Sequence, residues 1–170
     1  MQERILDLQE YISRFRDRER VEGYCRECMN FGRKWSCPPF TEEGPLSGFR
    51  LEDYAFIKVL LAEVPSEGAW AGDGFSRARK TVDPLIFDME RATEGSFALL
   101  PGTCLLCENC GRSEGICRFP SKVRPSLESL GFDVGMTMQE LFGSELEWAK
   151  DGTAPKRYQL VGALLLKHRD

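Results

Sequence analysis

The chain has 170 residues, 42% of them apolar and 11% aromatic, with a formal net charge of −4. That is enough apolar material to bury a core, which excludes an intrinsically disordered chain. The acidic balance also gives no support for nucleic-acid binding, which calls for a basic face. No apolar run approaches the roughly 20 residues that span a bilayer. The charged start Met-Gln-Glu-Arg lacks the apolar core of a secretory signal, so a cytoplasmic protein without membrane insertion is expected.

The length fits a single unit over residues 1–170. An N-terminal helix is expected within residues 1–20, because Ile5, Leu8, Ile12 and Phe15 recur at helical spacing between charged residues. Residues 22–48 have no such period and are rich in Gly, Pro and Cys, which predicts an irregular first Cys loop. Residues 54–103 read as strand, helix, strand. The stretch 54–64 is densely apolar and closed by Pro65, and the segment 66–75 is a Gly-rich loop without the pattern of a phosphate loop. Asp83 and Pro84 make a capped helix start, and the helix runs to about Glu94 before a short strand at 97–100. Residues 104–124 form a second Cys loop. In 125–170 a short helix stops at Gly131, Thr137 and Glu140 suggest a capping box for a helix from Met138, and 158–167 is the last strand. The expected class is α/β or α+β: a small mixed sheet of three or more strands, flanking helices and two Cys-rich metal loops.

Seven cysteines leave one over in any closed set of disulfides, and without a secretory signal they read better as metal ligands or redox groups. Cys104, Cys107, Cys110 and Cys117 give C-x2-C-x2-C-x6-C. The repeated two-residue gap lets a tight turn aim successive thiolates at different corners of a [4Fe-4S] cubane, as in bacterial ferredoxins, although the last gap here is six. Zinc is the alternative, with four thiolates around one ion. Arg112, Arg118, Lys122 and Arg124 lie close by in sequence and are placed to offset the negative charge of a cluster. Cys25, Cys28 and Cys37 give C-x2-C-x8-C followed by Pro38-Pro39, one ligand short. Three arrangements remain open there: a second cluster with an open or non-cysteine iron, a zinc site completed by a carboxylate or by the lone His168, or exchange of cysteines between the two sets. Trp35 is placed to shield a cluster from water or simply to fill a small core.

These motifs, with Phe31-Gly32-x-x-Trp35, Cys117-Arg118-Phe119-Pro120, Arg124-Pro125-Ser126-Leu127-Glu128 and Gly131-Phe132-Asp133-Val134, resemble the prokaryotic "predicted metal-binding protein" family, domain of unknown function 2284. The resemblance implies a cysteine-bound metal centre and names no reaction. It leaves Pro38, Pro39, Arg118, Pro120, Arg124 and Asp133 as motif positions without a role. The reading that follows is an iron–sulfur protein for electron transfer or redox work, with a redox partner protein. Its alternatives are an enzyme using an open iron at Cys25, Cys28 and Cys37, with residues 70–75 as a lid and Asp73 or Asp133 as acid–base group, or a zinc-binding structural or interaction protein. Whether the protein is an enzyme, and its oligomeric state, are left open by the sequence.

Overall fold

The computed structural model describes residues 1–66, 73–147 and 151–169. The chain opens on strand β1 (Gln2–Asp7), then helices α1 (Leu8–Phe15) and α2 (Arg18–Glu27). Strand β2 (Phe56–Pro65), helix α3 (Gly74–Ala92) and strand β3 (Phe97–Leu99) follow, and helix α4 (Val134–Phe142) and strand β4 (Arg157–Leu166) close it. The sheet order is β1-β2-β4-β3. Every pairing is antiparallel, so the fold is α+β and the sheet is not mixed.

Strands β2 and β4 are central and buried on both faces, which is why each reads in sequence as a nearly unbroken apolar run. Ile57, Val59, Leu61, Val161, Ala163 and Leu165 point to one side, where they meet Leu8, Tyr11 and Phe15 of α1 and Val134 and Met138 of α4. Leu60, Ala62, Leu160 and Leu164 point to the other, against Ala78, Val82 and Ile86 of α3. The period of two along each strand thus builds a three-layer sandwich.

Three expected elements change. Residues 2–18 are not one helix. Gln2–Asp7 pair with β2 as an edge strand, where exposed Glu3 and Arg4 suit an edge. Asp7 then caps α1, its Oδ1 accepting from Gln9 N at 2.8 Å and Glu10 N at 3.1 Å. Arg16 is extended and bridges to Phe132, and Asp17 caps α2 through Arg20 N at 3.1 Å. Asp83 is not a helix start: α3 already runs from Gly74 and carries Pro84 inside, while Asp83 pairs with Arg79 one turn back. Thr137 is not a cap either. Asp133 caps α4 through Met136 N at 2.8 Å, and the buried Thr137 hydroxyl shares a 2.9 Å hydrogen bond with Tyr11. Trp148, and positions 70–72 of the expected lid, lie outside the described residues. Among the described residues no helix is long and apolar enough to cross a membrane.

Candidate metal centre

The first three cysteines do not share one irregular loop. Cys25 lies in the last turn of α2, and Cys28 is its C-cap, with Cys28 N donating to Cys25 O at 3.0 Å. The chain then turns through Gly32, at φ +68°, which brings Gly32 N to Pro38 O at 2.9 Å and folds Cys37 back towards the helix end. The Asn30 amide lies 3.5 Å from Cys28 Sγ, and the Cys37 thiol donates to Thr103 Oγ1 at 3.3 Å. The three cysteines line one cavity of about 350 Å³ together with Arg79, Thr103, Ser126 and Glu128. Burial pushes the Cys25 thiol up to about 11, and the Glu128 carboxyl and the thiols of Cys37 and Cys28 add to it.

Cys104, Cys107, Cys110 and Cys117 line a second cleft with Trp35, Leu106, Ile116, Phe119 and Val123. The six-residue gap before Cys117 is a compact reversal. Residues Gly111–Glu114 make one 3-10 turn, Gly115 leaves it at φ +71°, and Ile116 N returns to Gly111 O at 2.9 Å. A Cβ on Gly111 would stand 2.6 Å from Ile116 O, so only glycine allows the two limbs to close. Burial raises Cys104 above the ordinary thiol range, opposed by a bond from the Leu106 amide, with Cys110, Cys107 and Cys117 raising it further. The cleft itself is narrow, about 20 Å³. Among the described residues, no group of three or more His, Cys, Asp or Glu side chains is gathered closely enough to hold a metal ion.

The two thiol groups are laid against each other. Ser36 Oγ accepts from Cys104 N at 2.8 Å and lies 3.8 Å from Cys37 Sγ. Arg112, from the second loop, donates to Lys34 O and Cys37 O at 2.7 Å each and to Pro39 O, and sits over the Trp35 ring. The Trp35 indole donates to Ile116 O at 3.0 Å, so this aromatic packs against the Cys104–Cys117 group and not its own.

Of the four basic residues expected to offset cluster charge, Arg112 is the strap just described and Arg118 donates to Asn109 O at 2.9 Å beside the second cleft. Arg124 is bound to both oxygens of Glu90, at 2.7 and 2.9 Å, and stacks on Phe97, while Lys122 lines a separate groove with Cys104. Asp133 is a cap and an ion-pair partner of Arg20, Asp73 pairs with Arg77, and neither lines the cavity. His168 is exposed beyond β4 and does not line it either.

Comparison with known families settles one point. The profile of the family described as Predicted metal-binding protein (DUF2284) matches residues 12–166. The chain belongs to this family. All seven cysteines lie inside the matched span and His168 lies outside it. No curated protein and no solved structure matches the chain.

Reasoning from the sequence missed Thr103, Ser36, Arg79 and Glu128 as neighbours of the cysteines. Only Glu128 had a signal, as the last residue of the Arg124–Glu128 motif run. Its Oε2 is closed off from solvent and has no hydrogen-bond partner, the one such side-chain atom among the described residues. Burial raises its carboxyl above the usual carboxylate range, against hydrogen bonds from its own amide and from Ser126.

Proposed function

We propose that the protein is an iron–sulfur carrier for electron transfer, with one cluster on Cys104, Cys107, Cys110 and Cys117 and a second on Cys25, Cys28 and Cys37. The observation that carries this reading is the single Ser36 hydroxyl that touches both groups, bonded to Cys104 N and 3.8 Å from Cys37 Sγ. Two separate structural ions need no such contact. Two redox centres gain a short path from it.

The donors suit the group. Thiolates select iron–sulfur clusters and zinc among the common metal centres. Backbone and side-chain donors around Cys28 supply N–H···S bonds of the kind that tune a cluster's potential. A cavity of about 350 Å³ beside the first group exceeds what a single ion needs. A cluster would supply reversible one-electron chemistry. The chain's own residues would hold it, shield it on one side with the buried Trp35, and join the two groups through Ser36 and Arg112. Transfer also needs a partner protein, and a net charge of −4 suits a basic surface on it.

One observation favours a second reading at the second group. Its cleft of about 20 Å³ admits a zinc ion more readily than a cubane, which requires the loop to spread. Anaerobic purification with metal and sulfide analysis separates the two. A brown protein with about eight iron and about eight sulfide per chain, and a reversible couple between about −700 and +450 mV, supports two clusters. A colourless protein with zinc in the second group and no such couple refutes the electron-carrier reading.

A further inference from the structure

We propose that Glu128 is the fourth protein ligand of the Cys25/Cys28/Cys37 centre, binding through Oε2. The inference rests on reading that centre as an iron–sulfur site. Three thiolates leave one iron of a cubane without a protein ligand, and a carboxylate oxygen is an ordinary ligand for iron. Glu128 lines the same cavity as the three cysteines, and its main-chain oxygen lies 4.0 Å from Cys25 Sγ.

Its position is built and not incidental. The carboxylate springs from a 3-10 turn, Glu128–Leu130, held by reciprocal bonds: Ser126 N to Ser129 Oγ at 2.9 Å and Ser129 N to Ser126 Oγ at 3.2 Å. Gly131, at φ +87°, lets that turn press on α2, where a Cβ would stand 2.7 Å from Arg18 Cγ. The same helix carries Cys25. The nearby cation does not account for Oε2. The charge of Arg79 is felt at the Glu128 carboxyl, but its hydrogen bonds run from Nε and Nη2 to Asp83 and from Nη1 to Thr103 O, and none reaches Oε2. A buried carboxyl oxygen without a partner is costly, and coordination to iron would satisfy it.

The test compares the full-length wild type with Glu128→Gln and Glu128→Asp, each reconstituted anaerobically with iron and sulfide. Mild ferricyanide strips the least protected iron: a [4Fe–4S]2+ core becomes [3Fe–4S]+ and releases Fe2+, and the oxidant takes the one electron. Glu128→Gln should lose that iron on the order of tenfold faster and show the three-iron EPR signal, with Glu128→Asp between it and the wild type. Equal rates in a folded Glu128→Gln protein overturn the proposal. If the Gln variant does not fold, the wild type labelled with 13C-glutamate answers by infrared difference spectroscopy on loading. A shifted carboxylate band supports ligation and an unshifted one overturns it. Failure of the underlying reading looks different: iron content would then be the same in wild type and Cys25→Ala, whatever Glu128 does.

Discussion

At the scale of single residues, two arginines do work that their position in the sequence does not announce. Arg112 donates three hydrogen bonds to carbonyls of the other Cys segment. Arg112→Ala removes charge-assisted bonds and a cation–π contact together, and should destabilise the protein by about 2–4 kcal/mol in a denaturant titration. Arg79 is buried against Asp83 and holds the Thr103 carbonyl just before Cys104. Asp83→Asn leaves that guanidinium short of a counter-charge and should cost about 3–5 kcal/mol, since breaking one side of a buried pair is far worse than never having it. Cys25 makes a prediction about pH. With its thiol pushed up to about 11, it is protonated at neutral pH, so metal binding must expel that proton. Apparent metal affinity should therefore rise with pH, by up to about tenfold per unit for each proton displaced, in a chelator competition between about pH 6 and pH 9. The metal-free fold behaves oppositely. The folded thiol keeps its proton to higher pH than an unfolded one, so this group's contribution is intact below about pH 9 and is lost as pH rises towards about 11. A flat affinity profile would mean that metal binding displaces no thiol proton, from Cys25 or from any other cysteine.

At the scale of elements, glycines set how closely segments approach. Gly162 sits in β4 where a Cβ would stand 2.8 Å from Leu99 O and from Ile86 Cδ1, so β4 touches both β3 and α3 through the absent side chain. Gly162→Ala should cost roughly 1–3 kcal/mol by overpacking, without changing metal stoichiometry. Gly111→Ala should do the reverse. The reversal between Cys110 and Cys117 would be forced open, and the metal content of the second group should fall while far-UV circular dichroism stays near wild type. The elements also show where local pattern misleads. The spacing of Ile5, Leu8, Ile12 and Phe15 suits a helix, yet Gln2–Asp7 is a strand because β2 offers an unpaired edge. Asp83-Pro84 looks like a helix start, yet the helix runs through it because Arg79 needs Asp83 one turn on. In the first case a partner distant in sequence outweighed a local preference, and in the second an i,i+4 ion pair within the helix did.

At the scale of the whole molecule, the sandwich brings the end of α2 and the segments around Trp35, Thr103 and Glu128 together beside the two thiol groups. The groups should therefore fail together. Cys107→Ala is expected to remove the second centre and also to lower metal in the first, because Ser36, Trp35 and Arg112 span both. Iron analysis of that variant checks this: a loss confined to about four iron per chain would mean independent centres. By itself the sequence determined that the thiols fall into two groups and that β2, β3 and β4 are strands. Those features are carried by short-range spacing and composition, which need no partner to be read. Only the tertiary structure decided that the groups are adjacent, that Trp35 serves the group it does not belong to, that Asp133 and Arg124 are structural, and that Glu128 closes on Cys25. Each of these depends on contacts between residues far apart in the chain, such as Ser36 with Cys104 or Cys25 with Glu128. Their meeting is set by the packing of the apolar sandwich, and no local pattern encodes it.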